Sequence, residues 1–145
     1  MRGLKLAALV VALGLGTALP SAEAREPQRE TAAKHQSAHA QHHQARRGRA
    51  SYYSGQFHGR RMANGKRFNR NSNAAASRTL PLGTRAQVKN LENGRTAVVT
   101  IQDRGPFKRG RIIDVSPSTA RKLGMMEEGV AMVEVVPLSV PSNPG

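Results

Sequence analysis

A chain of 145 residues has room for one small domain and excludes a large multi-domain enzyme. Its 23 Lys+Arg against 9 Asp+Glu leave a formal net charge of +14, a balance that suits a polyanion or an acidic glycan as partner. The absence of cysteine excludes disulfides, thiolate-bound zinc, thiol catalysis and a lipid-modified cysteine.

In chain order, the first element is an address. Arg2 and Lys5 precede an apolar run from Leu6 to Leu19, Pro20-Ser21 breaks it, and Ala22-Glu23-Ala24 has the small-x-small form of a cleavage site. That order predicts a secretory signal peptide over residues 1–24. The run is shorter than the ~20 residues a membrane span needs, so no stable membrane anchor is expected. The predicted product is a soluble, monomeric protein exported across the inner membrane to the periplasm, and not a lipoprotein.

Residues 25–48 are rich in Gln, Ala, Arg and His, with no apolar period, and are read as a disordered linker. His39, His42 and His43 would share a face if this stretch became helical. A metal site also needs an ordered surround, so a solvated tether is the expectation and no metal is assigned.

Periodicity begins in the next stretch. Arg85 to Leu91 alternates, Glu92-Asn93-Gly94 marks a turn, and Thr96 to Ile101 is apolar and β-branched, which together predict a hairpin. Ile112 to Val115 predicts another strand. Ser116-Pro117 opens a helix, with serine as N-cap and proline in the first turn; Gly124 closes it. Val130 to Val136 predicts a last strand ended by Pro137, and residues 138–145 a flexible tail. Short strands with one or two short helices over residues 49–137 predict a mainly β domain, a small closed barrel.

Seven ordered blocks carry a resemblance. They are Ala50-Ser51-Tyr52-Tyr53-Ser54-Gly55, Phe57-His58-Gly59-Arg60-Arg61, Ala63-Asn64-Gly65, Arg78-Thr79-Leu80-Pro81-Leu82-Gly83-Thr84, Asn90-Leu91-Glu92-Asn93-Gly94-Arg95, Asp103-Arg104-Gly105-Pro106-Phe107 and Gly110-Arg111-Ile112-Ile113-Asp114-Val115-Ser116. Together they resemble the rare-lipoprotein-A (RlpA) family of peptidoglycan lytic transglycosylases. The resemblance implies a six-stranded double-psi β-barrel, an envelope location and peptidoglycan glycan strands as partner. It also implies cleavage after N-acetylmuramic acid, in which the muramyl C6 hydroxyl closes a 1,6-anhydro ring without water.

One carboxyl group can serve such a reaction twice, as acid and then as base, where ordinary glycoside hydrolysis uses two. In the family pattern that carboxyl opens the Asp-Arg-Gly-Pro-Phe block, which here is Asp103. The plainer reading is that Asp103 pairs with Arg104 or Arg111 to order its loop. Tyr53, Asn64, Lys66, Ser77, Arg78, Arg104 and Phe107 are the expected substrate-binding residues, with Phe57 and Phe68 equally suited to groove or core.

Two positions depart from the pattern: Lys66 stands where the family typically has Glu, and Ser77 where it typically has His. A cation at 66 is expected to depress the acid. The alternative is therefore a catalytically impaired glycan-binding module of the same fold. Asp114, Glu92, Glu127 and Glu128 are expected to be structural or solvated. The export signal argues against a nucleic-acid partner. No Walker, Rossmann, EF-hand or zinc spacing is present, so no cofactor is implied.

Overall fold

The computed structural model describes residues 44–142, together with Gly14 and Gly16. The expected export signal, the histidine-bearing tether up to residue 43 and the end of the expected tail (143–145) otherwise lie outside the described residues.

The expected hairpin is β3 (Arg85–Asn90) and β4 (Thr96–Asp103), and the next strand is β5 (Arg111–Val115). Helix α1 (Pro117–Lys122) begins where its cap was expected, because the Ser116 hydroxyl accepts the Thr119 N–H at 3.1 Å. It stops at Gly124, which has a φ of +64°. The positive φ is what requires glycine; a Cβ there would also push aside the side-chain ends of Arg95 and Asn93, which lie 2.8 and 2.9 Å from its position.

Two further strands carry no periodic signal: β1 (Arg46–Tyr52) and β2 (Ala74–Ala76). β1 starts inside the expected linker, so the ordered barrel begins earlier than residue 49. Arg46, Arg47 and Gly48 pair with Val135, Glu134 and Val133, and Arg47 Nε meets Glu134 Oε2 at 2.8 Å. The last strand, β6 (Val130–Ser139), also passes its expected end at Pro137. Pro137 sits opposite Ala86, where the β3 register shifts, and at such a bulge a missing N–H disturbs the ladder least.

The strands close into a barrel in the order β1-β5-β2-β4-β3-β6. β1 runs parallel to β5 and β2 parallel to β4, while the remaining neighbours are antiparallel. These two interleaved parallel pairs make the expected double-psi barrel. Closure leaves no open sheet edge to template aggregation. Alternate residues of each strand fill the interior: Val88, Val99, Ile101, Ile113, Val115 and Val133 are buried, with Leu123 and Met125 beneath them. The small side chains of Ala50, Ala75, Ala86 and Ala131 let the sheet close tightly around that core.

A second apolar cluster lies outside the barrel. Met62, Phe68 and Ala74 are buried there against Tyr53 and Phe57. It fixes the long β1–β2 connection, and with it one wall of the groove described next.

Candidate active site

Asp103 is the last residue of β4, and three donors converge on it. The Tyr53 hydroxyl donates to Oδ2 at 2.9 Å, while the backbone N–H groups of Ala63 and Arg104 donate to Oδ1 at 2.8 and 2.9 Å. The plainer pairing expected for this residue does not form with Arg104. That guanidinium turns away and donates to the carbonyls of Ser77 and Leu80, at 2.8 and 2.6 Å, bracing the neighbouring loop. Among the described residues Asp103 makes no ion pair.

Tyr53 holds Asp103 from the aromatic wall. Its ring lies 4.4 Å from that of Phe68 and 5.8 Å, edge on, from that of Phe57. Burial pushes the Tyr53 phenol above its ordinary range, and the hydrogen bond to Asp103 and the charges of Asp103 and Asp114 push it further. It therefore stays a donor throughout any working pH.

A second carboxyl faces the same space. Asp114 of β5 is partly buried and accepts a hydrogen bond from the Ser51 hydroxyl of β1. Burial raises its carboxyl above the usual range; Ser51 and Arg111 pull it back, Asp103 adds to the rise, and the net direction is up. The register explains the proximity, because Ala76 of β2 pairs with Asp114 on one side and with Asp103 on the other. Two strand spacings put the two Cα atoms about 10 Å apart.

Both carboxyls line a groove of about 500 Å³. Tyr53, Phe57 and Phe68 form an aromatic wall, and Arg60, Arg61, Arg104 and Arg111 bring positive charge. Arg60 lies 5.3 Å over the Phe57 ring. Phe107, 82% exposed, stands at the mouth, where an aromatic face is free to stack on a sugar. No three His, Asp or Glu side chains cluster as a metal site requires among the described residues.

Of the residues expected to bind substrate, the structure brings Tyr53, Arg104 and Phe107 together with Asp103. It leaves four outside the groove lining. Asn64 shapes a turn, donating to Gln102 Oε1 and accepting the Lys66 N–H. Lys66 is exposed, so the expected cation beside Asp103 is not part of the groove wall; its loop contributes the Ala63 N–H instead. Ser77 is 2% exposed and its hydroxyl accepts the N–H groups of Thr79 and Leu80. Arg78 and Ser77 line a different, smaller hollow of about 70 Å³.

Sequence reasoning placed Asp114 among structural residues, although one signal was available. Ile113 and Val115 are core positions, so alternation sends Asp114 to the other face of β5, away from the core. Ser51, Arg60 and Arg61 stood in the quoted blocks without a role.

A family model described as "Lytic transglycolase" matches residues 45–135. The chain belongs to that family. Over 86 residues it is 57% identical to the probable endolytic peptidoglycan transglycosylase RlpA of Synechocystis, which covers 59% of this chain and 27% of that protein. Over 88 residues it is 46% identical to the endolytic peptidoglycan transglycosylase RlpA of Neisseria meningitidis serogroup A, covering 61% of this chain and 37% of the relative. The chain thus spans well under half the length of these lytic transglycolase relatives. Among solved structures, the Streptomyces papain inhibitor shares the fold at a TM-score of 0.50 and 25% identity, over 64% of this chain and 94% of that one. A variant of the Clavibacter michiganensis expansin in complex with cellohexaose does so at 0.53 and 21%, over 70% and 54%.

Proposed function

We propose that this chain is a peptidoglycan lytic transglycosylase of the cell envelope that cleaves glycan strands after N-acetylmuramic acid and leaves 1,6-anhydromuramyl ends. The observation that carries the reading is Asp103, held by three donors at the edge of an aromatic, arginine-rimmed groove, at the position of the family pattern's aspartate. The curated relatives are named for this activity.

Tyr53 and Phe57, partly exposed over the buried Phe68, and Phe107 suit the apolar faces of hexoses. Arg60, Arg61 and Arg111 suit the carboxylates of an anionic wall polymer, and binding should weaken as salt screens them. Tyr53 and the Ala63 and Arg104 N–H groups fix the Asp103 carboxyl beside the reacting sugar, which limits the motion that would otherwise spoil proton transfer. As the bond from the muramyl C1 to the leaving oxygen breaks, that oxygen needs a proton and the C6 hydroxyl must lose one. In the one-carboxyl scheme Asp103 does both in turn, working as a monomer without a cofactor.

One observation favours the second reading, a binding module. The side chains at 66 and 77, where the family typically carries Glu and His, supply no titratable group to this groove. Incubation with purified glycan strands, followed by analysis of the released fragments, separates the two. New anhydromuramyl ends support the enzyme; retained binding without them supports the module.

A further inference from the structure

The one-carboxyl scheme requires Asp103 to begin protonated, yet each of its three close contacts is a donor aimed at it as an acceptor. A second carboxyl on the same groove removes that requirement. We propose that Asp114 is a catalytic residue of this site, the acid that protonates the leaving oxygen, while Asp103 serves as the base. This rests on the transglycosylase reading above.

Three geometric facts support the division of labour. Asp114 and Asp103 line the same groove, and both pair in register with Ala76, so one rigid sheet sets their separation. Two strand spacings part their backbones by ~10 Å. No hydrogen bond joins the two carboxyl groups, whose partners are Ser51 for Asp114 and Tyr53, Ala63 and Arg104 for Asp103, so each is free to act on a different oxygen of the substrate. Asp114 also has an orienting partner of its own, Ser51, whose residue pairs with it across β1 and β5. The charged and titratable groups facing Asp114 are Arg111 from its own strand, Asp103 from β4 and Tyr53 from the end of β1. Burial favours its protonated form, which a proton donor needs.

The step balances. The bond between the muramyl C1 and the leaving oxygen breaks, and the Asp114 O–H proton passes to that oxygen, which becomes the free hydroxyl of the departing sugar. The C6 oxygen bonds to C1, and its proton passes to the Asp103 carboxylate. Transfer of that proton from Asp103 to Asp114 through water, once the products leave, restores the starting state.

The test compares wild type with Asp114→Asn, Asp103→Asn and Ser51→Ala on two substrates. One is purified glycan strands. The other is a peptidoglycan-derived saccharide whose muramyl C1 carries a dinitrophenolate, which leaves without a proton. On strands, Asp114→Asn should lose ~10²-fold or more in rate; on the activated substrate it should return to within about threefold of wild type, while Asp103→Asn stays impaired on both. In wild type the rate on strands should fall as pH rises through the Asp114 titration. Ser51→Ala removes a contact that favours the ionised form, so it should move this fall to higher pH.

Rescue by the activated leaving group cannot arise from an unfolded variant, so it separates chemistry from loss of structure. Asp114→Asn with near wild-type rates on strands would overturn the proposal while leaving the transglycosylase reading intact. So would an alkaline fall unmoved by Ser51→Ala. A wild type that releases no anhydromuramyl product from strands would overturn that reading, and this proposal with it.

Discussion

Two hollows adjoin β5, and they hold different chemistry. Arg111 and Asp114 line the groove of about 500 Å³, together with Asp103 and the aromatic wall. Ile112 and Ile113 line the hollow of about 70 Å³, beside Ser77, Arg78, Val135 and Pro137. The smaller space has room for a water or two and contains no carboxylate. Its polar groups are partly committed already: the Ser77 hydroxyl accepts two backbone N–H groups, and Arg46 donates to the Thr79 hydroxyl at 3.1 Å. The comparison teaches that adjacency in the chain is no guide to adjacency in the barrel. Ala76 pairs with both groove carboxylates, and one residue later the chain has turned into the other hollow.

The largest effect that would break this contrast is at Asp103. Asp103→Asn keeps the shape and the Tyr53 contact but cannot exchange a proton, so anhydromuramyl release should fall by ~10²–10⁴ with the fold retained. A fragment assay alongside circular dichroism measures both. Activity surviving in this variant would move the chemistry out of the groove's centre.

The next effect is on stability. Ser77→Ala strips the partner from the Thr79 and Leu80 N–H groups, and should destabilise the fold by about 1–3 kcal/mol in denaturant titrations. Its kcat on strands should stay within about twofold of wild type, because Arg104 uses the Ser77 carbonyl, which alanine keeps. A fall in kcat without a fall in stability would return Ser77 to the site.

Elements legible in the sequence are those whose own side chains encode them. The β3–β4 hairpin alternates, β5 is β-branched, and α1 carries its cap and its stop. The strands without a local signal are made by their neighbours. Arg46 to Gly48 reads as the end of a charged tether until β6 takes its backbone and makes it the start of β1. Ala74–Ala76 has low strand propensity and exists because β4 and β5 flank it. The site divides in the same way. Asp103 could be found from its block, whereas alternation shows only that Asp114 leaves the core face of β5; its meeting with Asp103 comes from register across three strands, which no local pattern displays.

A smaller effect separates the two carboxylates. Burial lifts the Asp114 carboxyl above its unfolded value, so the folded chain holds that proton more tightly than the unfolded chain does. The resulting stability is complete below the unfolded value of ~4 and is lost as pH rises through the folded one. Asp114→Asn cannot ionise, so its melting temperature should decline less than that of wild type over this rise. Thermal scans at a series of mildly acidic pH values measure the difference. Parallel curves for the two proteins would mean that burial at Asp114 costs the ionised form little.

The smallest expected effect is at Lys66, where the family pattern alone predicts a large one. A cation against Asp103 would depress the acid, and replacing it with Glu would then raise activity strongly. In the structure Lys66 is exposed and absent from the groove wall, and water and salt screen its charge over ~8 Å at physiological ionic strength. Lys66→Glu should therefore change the rate on strands by no more than about threefold, and its effect should shrink as salt is added. A gain of tenfold or more that persists in high salt would mean that the turn around Gly65 swings inward when glycan binds and delivers residue 66 to the reacting sugar. The groove would then have three contributors to its chemistry, and the lysine here would mark a weakened enzyme.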